Sequence, residues 1–177
     1  MEFTVQHFDG PLRMAVAHSG DFHYGVAAGA YAGTLNLGGK QIELWGYGGI
    51  RNTETLNAYC LCVAVEELLA DIPADSFRLL VIANSIGFMR YIRKLVPTWM
   101  SRGGLNSAGK VPDAYEEWHR CTVLANLGHL DVIQQRLSEG LNFVDEQASR
   151  IAKIGHEHGP YESVGIVRYG IGFDTAS

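Results

Sequence analysis

Polar and apolar positions alternate early in the chain, with the period of strands that bury one face. Residues 12–18 alternate bulkier and smaller side chains before a Ser-Gly turn. The small residues of 27–37 are followed by Gly38-Gly39, and then by strict alternation over 40–45. Two such runs joined by two glycines predict a hairpin. We therefore expect three antiparallel strands at the start of the chain.

The pattern becomes helical after residue 52. Asn52 or Thr53 can cap a helix, and Glu54 would lie favourably in its first turn. Apolar side chains then recur at helical spacing over 56–68, until Ile72-Pro73 ends the pattern. A long first helix is predicted here.

The remaining pattern alternates between strands and helices. Residues 77–83 are nearly all apolar, as expected of a central strand buried on both faces. Further helices are predicted over 85–95, 112–127 and 143–154, and a short strand over 130–133. The order predicts an α/β fold, a mixed sheet with helices on both faces. Residues 163–173 are predicted to be either an extra strand or an extended tail.

Composition narrows the class of protein. At 177 residues the chain is expected to be one domain, and 47% hydrophobic with 19% charged residues excludes a disordered chain. The longest apolar run, residues 58–65, is far shorter than the ~20 residues of a membrane span. The first ten residues lack the basic and apolar regions of a secretory signal. We expect a soluble, cytoplasmic protein.

The three cysteines form no recognisable metal or disulfide motif. Cys60 and Cys62 lie two positions apart in the first predicted helix, so they point in different directions and cannot bridge locally. Cys121 is distant in sequence. Reduced core cysteines are the expectation.

Charge is unevenly distributed along the chain. The net charge is −5, the wrong sign for a protein that binds nucleic acid with its whole surface. Residues 76–112, however, contain no Asp or Glu and carry a charge of +6, which leaves −11 elsewhere. The basic residues of this window are Arg78, Arg90, Arg93, Lys94, Arg102 and Lys110. Such a window is typical either of a phosphate-facing surface or of scattered solvated charges.

Four strings in this framework carry a family resemblance. The first helix contains Ala64-Val65-Glu66-Glu67-Leu68, and the central strand reads Leu80-Val81-Ile82-Ala83-Asn84-Ser85. Trp99-Met100-Ser101-Arg102-Gly103 lies in the basic window, and Asp145-Glu146-Gln147-Ala148 lies in the last helix. Over residues 12–152 the chain resembles ribonuclease H of the bacterial type I group. These strings are similar to that family's ALEAL string, its strand ending in Asp-Ser, its W-x-x-R-G handle element and its final D-E-x-A.

The resemblance implies a ribonuclease H-like domain over residues 1–155. Its expected sheet has five strands, three antiparallel and then two alternating with helices, with helices on both faces. Residues 156–177 would form a C-terminal extension.

The family's chemistry uses four carboxylates around two Mg²⁺ ions, and the resemblance places those positions on this chain. The first falls on His18, the second on Asn57 and the third on Asn84. Only the fourth, Asp145, is an acid. The resemblance therefore implies a degenerate active site.

Charge decides what such a site can do. Four carboxylates supply about four negative charges to balance two Mg²⁺, whereas one carboxylate and an imidazole cannot. We therefore expect no ordinary two-Mg²⁺ hydrolysis of an RNA–DNA hybrid, and no metal cofactor. The alternative is an altered site holding Mg²⁺ or Mn²⁺, for which the candidate ligands are Asp145, Asp21 and Glu54, the last lying one turn before Asn57.

Three hypotheses follow. The first is a pseudoenzyme, a module that binds nucleic acid or a protein. Its nucleic-acid-binding residues would be Arg90, Arg93, Lys94, Arg102 and Lys110. The second is a metal-dependent ribonuclease H-type endonuclease that cleaves RNA–DNA hybrids through the altered site. The third is a structural or assembly protein, for instance a homo-oligomer formed through the C-terminal segment.

Overall fold

The predicted hairpin is present in the observed sheet. The computed structural model describes residues 10–22, 25–70, 78–84, 86–134 and 139–177. Its strands are β1 (Leu12–Ser19), β2 (Ala27–Leu37), β3 (Lys40–Ile50), β4 (Leu79–Ala83), β5 (Leu130–Gln134) and β6 (Gly165–Ile171). Its α-helices are α1 (Thr53–Leu69), α2 (Ile86–Arg90), α3 (Val96–Ser101), α4 (Tyr115–Asn126) and α5 (Glu139–His158). Ser76, Phe77 and Ser85, which begin predicted segments, lie outside the described residues.

The sheet is mixed, in the order β5-β4-β1-β2-β3-β6. β1 pairs antiparallel with β2 and parallel with β4. β4 and β5 are also parallel. β4 ends opposite Met14, and the parallel strand β1 continues beyond it to Ser19, so the residue that follows β4 lies beside the second half of β1. This part of the sheet positions the candidate site.

Alternation along the strands separates two hydrophobic cores. Leu12 and Met14 of β1 face the core that contains the buried residues of α1 and α4. Ala15, next to Met14, faces a second core that is built on α5. The sheet is thus covered on both faces, as the pattern predicts.

The first helix begins where its sequence predicts. Asn52 caps α1, since its side-chain oxygen accepts the N–H of Thr55 at 2.8 Å. The Thr55 hydroxyl accepts the N–H of Asn52 at 3.1 Å in return, which completes a reciprocal capping box. None of the helices in the described residues is long and apolar enough to cross a membrane.

The helix predicted over 85–95 does not end before Pro97, so that boundary is wrong. A π-helical turn over Tyr91–Leu95 joins α2 to α3, and the N–H of Val96 bonds to the carbonyl of Tyr91. Pro97 lies at the start of α3, directly after the π turn. Trp99, further along, is buried and contacts the Tyr91 ring edge-on at 5.7 Å. Tertiary packing therefore carries the helix through the proline.

Two other helix boundaries also differ from expectation. The fourth helix begins at Tyr115 rather than at residue 112, because Ala114 adopts a left-handed conformation with φ 56°. The last helix is longer at both ends than the predicted 143–154, reaching from Glu139 to His158.

The sheet has six strands, not the expected five, because the C-terminal segment joins it. β6 pairs antiparallel with β3 and occupies the edge of the sheet. The pairing needs a glycine at position 48, where a Cβ would overlap the Gly165 carbonyl oxygen and lie 2.7 Å from the Ile166 Cα.

We expect Gly48→Ala to release β6 from β3, because the obstructing atoms are backbone atoms that cannot rotate away. Hydrogen exchange should show lost protection of the β6 amides, while the β1–β2 amides stay protected. Val167→Ala is the matched control, since Val167 is 61% exposed and its replacement should change stability by less than about 0.5 kcal/mol. Unchanged protection of β6 in Gly48→Ala would contradict this account.

Candidate functional site

Asn84 continues the hydrogen-bond ladder after β4 ends. Its backbone N–H donates to the carbonyl of Met14 at 3.2 Å. Its side-chain Oδ1 then accepts the backbone N–H of Val16 at 3.2 Å. Since a backbone N–H can only donate, this contact fixes the amide oxygen toward that N–H and leaves the amide nitrogen free to donate elsewhere.

The amide nitrogen of Asn84 bonds to Asp145. Asn84 Nδ2 donates to Asp145 Oδ1 at 2.8 Å, a short hydrogen bond assisted by the carboxylate charge. Asp145 lies in the second turn of α5, on the face of the sheet opposite α1. The structure thus brings together two of the four predicted positions and joins them directly.

His18 is directed elsewhere. Its side chain lies at the end of β1, and Nδ1 is 3.1 Å from the carbonyl oxygen of Gly20. Its ring also packs on Phe22 at a centroid distance of 4.4 Å. Within the described residues, no hydrogen bond joins His18 to Asn84 or Asp145.

Asn57 is buried in α1, with only 1% of its surface exposed. Its Oδ1 atom has no hydrogen-bond partner among the described residues. A buried acceptor without a partner costs about 1–3 kcal/mol, so this position does not stabilise the fold in the way that a satisfied core amide would.

Glu54, one of the alternative metal ligands, is directed toward Tyr91. The pKa of Tyr91 is raised first by burial and then by the hydrogen bond that the Tyr91 hydroxyl donates to Glu54. The same ring stacks on Trp118 at 4.7 Å. Glu54 is thus an exposed residue of α1 that interacts with the π turn, and the sequence pattern does not indicate this interaction.

Asp21, the other alternative ligand, is exposed just beyond β1. It borders a cavity of about 330 Å³ that His156 and Tyr161 also line. The cavity lies between the end of β1 and the C-terminal end of α5, about three helical turns along α5 from Asp145.

A two-Mg²⁺ centre does not fit this donor set. The third ligand position presents an amide N–H to Asp145 rather than an oxygen to a cation. Across residues 10–22, 25–70, 78–84, 86–134 and 139–177, no three His, Cys, Asp or Glu side chains are grouped so as to hold a metal ion. One carboxylate, already hydrogen-bonded, cannot balance two divalent ions.

The basic residues occupy the segment that follows Asn84. Arg90 ends α2, Lys94 lies in the π turn, and Arg102 and Lys110 follow α3; all four are exposed. Arg93 differs from them, because its guanidinium pairs with the Asp131 carboxylate of β5 at 2.9 Å. Its charge is therefore already compensated.

Solved structures show the same architecture. No protein-family model matches the sequence, and no curated protein matches it. The foamy viral protease-reverse transcriptase in complex with RNA/DNA hybrid aligns with a TM-score of 0.61 and 12% identity, over 90% of this chain and 21% of that one. The chain has a ribonuclease H-like fold. The RNase H domain of PFV aligns at 0.56 with 12% identity, covering 86% of this chain and 96% of that one. LC9-RNase H1, described as a type 1 RNase H with the type 2 active-site motif, aligns at 0.61 with 14% identity, over 89% and 78%.

In this ribonuclease H-like domain, we expect Asn84→Asp to lower stability most at neutral pH. Two facing carboxylates raise the pKa of one of them above its unfolded value of about 3.9. Because this pKa is higher in the folded than in the unfolded protein, the variant keeps its stability below the unfolded pKa. It loses stability as the pH rises through the folded pKa. Thermal unfolding should be measured between pH 4 and pH 8. At pH 7 the free energy of unfolding of the variant should be lower than that of the wild type by ~1–3 kcal/mol, and this difference should decrease toward pH 4.

The double variant Asn84→Asp with Asp145→Asn is the matched control. The carboxylate now at position 84 would accept the N–H of Val16 and the N–H of the amide now at position 145. The donor and the acceptor between positions 84 and 145 are thus exchanged, and only one carboxylate remains. The double variant should therefore recover most of the stability that the single variant loses. Wild-type stability of the single variant Asn84→Asp at pH 7 would show that the Asn84–Asp145 bond does not hold the site.

Proposed function

We propose that this ribonuclease H-like domain binds double-stranded nucleic acid without cleaving it. The observation that carries the proposal is the 2.8 Å bond between Asn84 and Asp145. It places a hydrogen-bond donor where a metal-dependent nuclease needs an anionic oxygen. The site is thereby closed by the protein's own groups.

The absence of repulsion between Asn84 and Asp145 supports the same proposal. A site with several carboxylates is held together by its cations, since without them the like charges repel. Here a neutral amide faces the remaining carboxylate, so the site is satisfied without an ion. The fold keeps its shape and loses the requirement for metal.

The exposed cations support binding to phosphates. Arg90, Lys94, Arg102 and Lys110 lie along one continuous segment that begins beside the Asn84 edge. None of these four makes an ion pair with another described residue, whereas Arg93 does. The foamy viral neighbour was solved with an RNA/DNA hybrid, which makes that duplex the first ligand to test.

Fluorescence anisotropy with an RNA–DNA hybrid and with double-stranded DNA tests the proposal. Four neutralised phosphates predict that log affinity falls with log salt concentration with a slope of about −3 to −4. The double variant Arg90→Gln with Lys94→Gln should weaken binding and bring the slope about two units closer to zero.

Arg93→Gln is the matched control in the same segment. It removes the same charge, but from a residue already paired with Asp131, so it should weaken binding less than Arg90→Gln. A salt-independent affinity, or equal losses in Arg93→Gln and Arg90→Gln, would overturn the proposed surface.

Cleavage of the labelled hybrid, followed with Mg²⁺ and with Mn²⁺, separates this function from the nuclease alternative. We expect the hybrid to stay intact. Metal-dependent cleavage that Asp145→Ala abolishes would instead establish an altered metal site, and would overturn the absence of hydrolysis while leaving the binding result to stand or fall separately.

The assembly alternative has one observation in its favour. β6 is an edge strand, and three of its large apolar side chains are more than half exposed. They are Val167, Tyr169 and Ile171. A homo-oligomer through this segment stays a prediction, to be tested by comparing the sedimentation of the full chain with that of Tyr169→Asp.

A further inference from the structure

Arg78 belongs to the basic window of residues 76–112, yet the proposed nucleic-acid surface does not include it. Arg78 directly precedes β4, whereas Asn84 directly follows that strand, so the two lie about 20 Å apart along its length. The side chain is exposed, and no ion pair among the described residues includes it. Its charge is therefore a separate feature, at the opposite end of β4 from the candidate site.

Arg78 lines a cavity of about 610 Å³ at the amino ends of β4 and β5. Leu79 and Leu130, which begin these two strands and pair with each other, form an apolar part of its wall. Ile92 of the π turn and Ala125 of α4 extend that wall. Cavities of about 300–1,000 Å³ with apolar walls are typical of sites for small organic ligands. This cavity therefore has room for the apolar body of such a ligand.

The end of α4 places the Arg78 guanidinium at the cavity. A Cβ at Gly128 would lie 3.7 Å from Arg78 Nη2, so the guanidinium is beside this glycine, which also lines the cavity. Gly128 follows the end of α4 with φ +79°, and its N–H bonds to the Ala125 carbonyl at 3.0 Å. Partial negative charge at a helix C-terminus favours a cation there. The position of Arg78 is thus consistent with the electrostatics of α4.

Arg93 supplies a second guanidinium to the same cavity, and Asp131 holds it there. Arg93 Nη2 donates to Asp131 Oδ1 at 2.9 Å, and the same oxygen accepts the N–H of Val132 at 2.9 Å. A guanidinium has several N–H donors, so this bond leaves Arg93 able to donate to a ligand as well. Because Asp131 offsets the charge of Arg93, the charge of Arg78 remains. The cavity therefore carries one net positive charge from its described charged side chains.

We propose that this cavity binds a small amphipathic monoanion, a molecule with an apolar body and one carboxylate or sulfonate group. The apolar body packs against Leu79, Ile92 and Ala125. The acidic group accepts charge-assisted hydrogen bonds from Arg78 and Arg93. This inference is independent of the proposed nucleic-acid binding, because it depends on Arg78 and on the opposite end of β4.

Two fluorescent dyes that differ in one charged group test the proposal. Anilinonaphthalene sulfonate has apolar rings and one negative charge, and phenylnaphthylamine has the same rings without the sulfonate. In titrations of the full chain, the sulfonate dye should occupy one saturable site and bind about tenfold more tightly than the neutral dye. The amide chemical shifts of Gly128 and Leu130 should change during the titration, while those of the β2–β3 hairpin should not.

Arg78→Gln should weaken binding of the sulfonate dye about tenfold, because the variant loses a charge-assisted hydrogen bond. It should leave the affinity for the neutral dye unchanged. Asn126→Asp adds a negative charge at an exposed position of the cavity and should have the same selective effect. Arg51→Gln is the matched control, since it removes the same charge from an exposed residue that does not line the cavity. Both affinities should stay at their wild-type values in this control.

Ala125→Phe tests the cavity itself, because the larger side chain occupies part of its volume. This variant should bind both dyes more weakly, with a thermal unfolding curve that shows it to be folded. Should it not fold, the exposed substitutions Arg78→Gln and Asn126→Asp decide the proposal alone. Equal affinities for the two dyes, a signal that does not saturate, or wild-type binding of the sulfonate dye by Arg78→Gln would each overturn it.

Discussion

The backbone N–H of Val16 determines how the candidate site is built, because a donor at that point needs an oxygen opposite it. The Asn84 side chain supplies that oxygen, and its planar amide then directs the nitrogen to Asp145. A carboxylate at position 84 could also accept from Val16, but its second oxygen would face Asp145 with the same charge. Because the side chain that follows β4 is an amide, its contact with Asp145 involves no repulsion between like charges and needs no cation to offset it.

The same edge of the sheet joins the closed site to the basic segment. α2 begins two residues after Asn84, and the cations follow along the helix and the loop beyond it. The net charge of the chain is −5, so these cations form a local positive segment on an acidic protein, and within it Arg93 is paired with Asp131. The Asn84–Asp145 contact and the exposed cations therefore involve separate residues, which substitutions can alter independently.

Much of the fold could be predicted from local patterns. The alternation over 12–18 and 40–45, and the cap at Asn52, depend on neighbours in sequence, and the strands and the helix start lie where expected. Resemblance placed Asn84 and Asp145 in one site, and the two side chains are in contact. What escaped prediction depends on distant partners: the pairing of β6 with β3, the hydrogen bond between Tyr91 and Glu54, and the ion pair of Arg93 with Asp131. Those contacts arise only when elements far apart in the chain pack together, and single-sequence periodicity carries no information about them.

The π turn over Tyr91–Leu95 changes the direction in which the side chains after it point. A turn with i→i−5 bonding holds one residue more than an α-helical turn, and each residue of an α-helix rotates the chain by about 100°. The extra residue therefore rotates the second half of the helix about its axis relative to the first half. Arg90 before the turn is exposed and Trp99 after it is buried, and without the extra residue the same sequence would bring a different face of the second half toward the core.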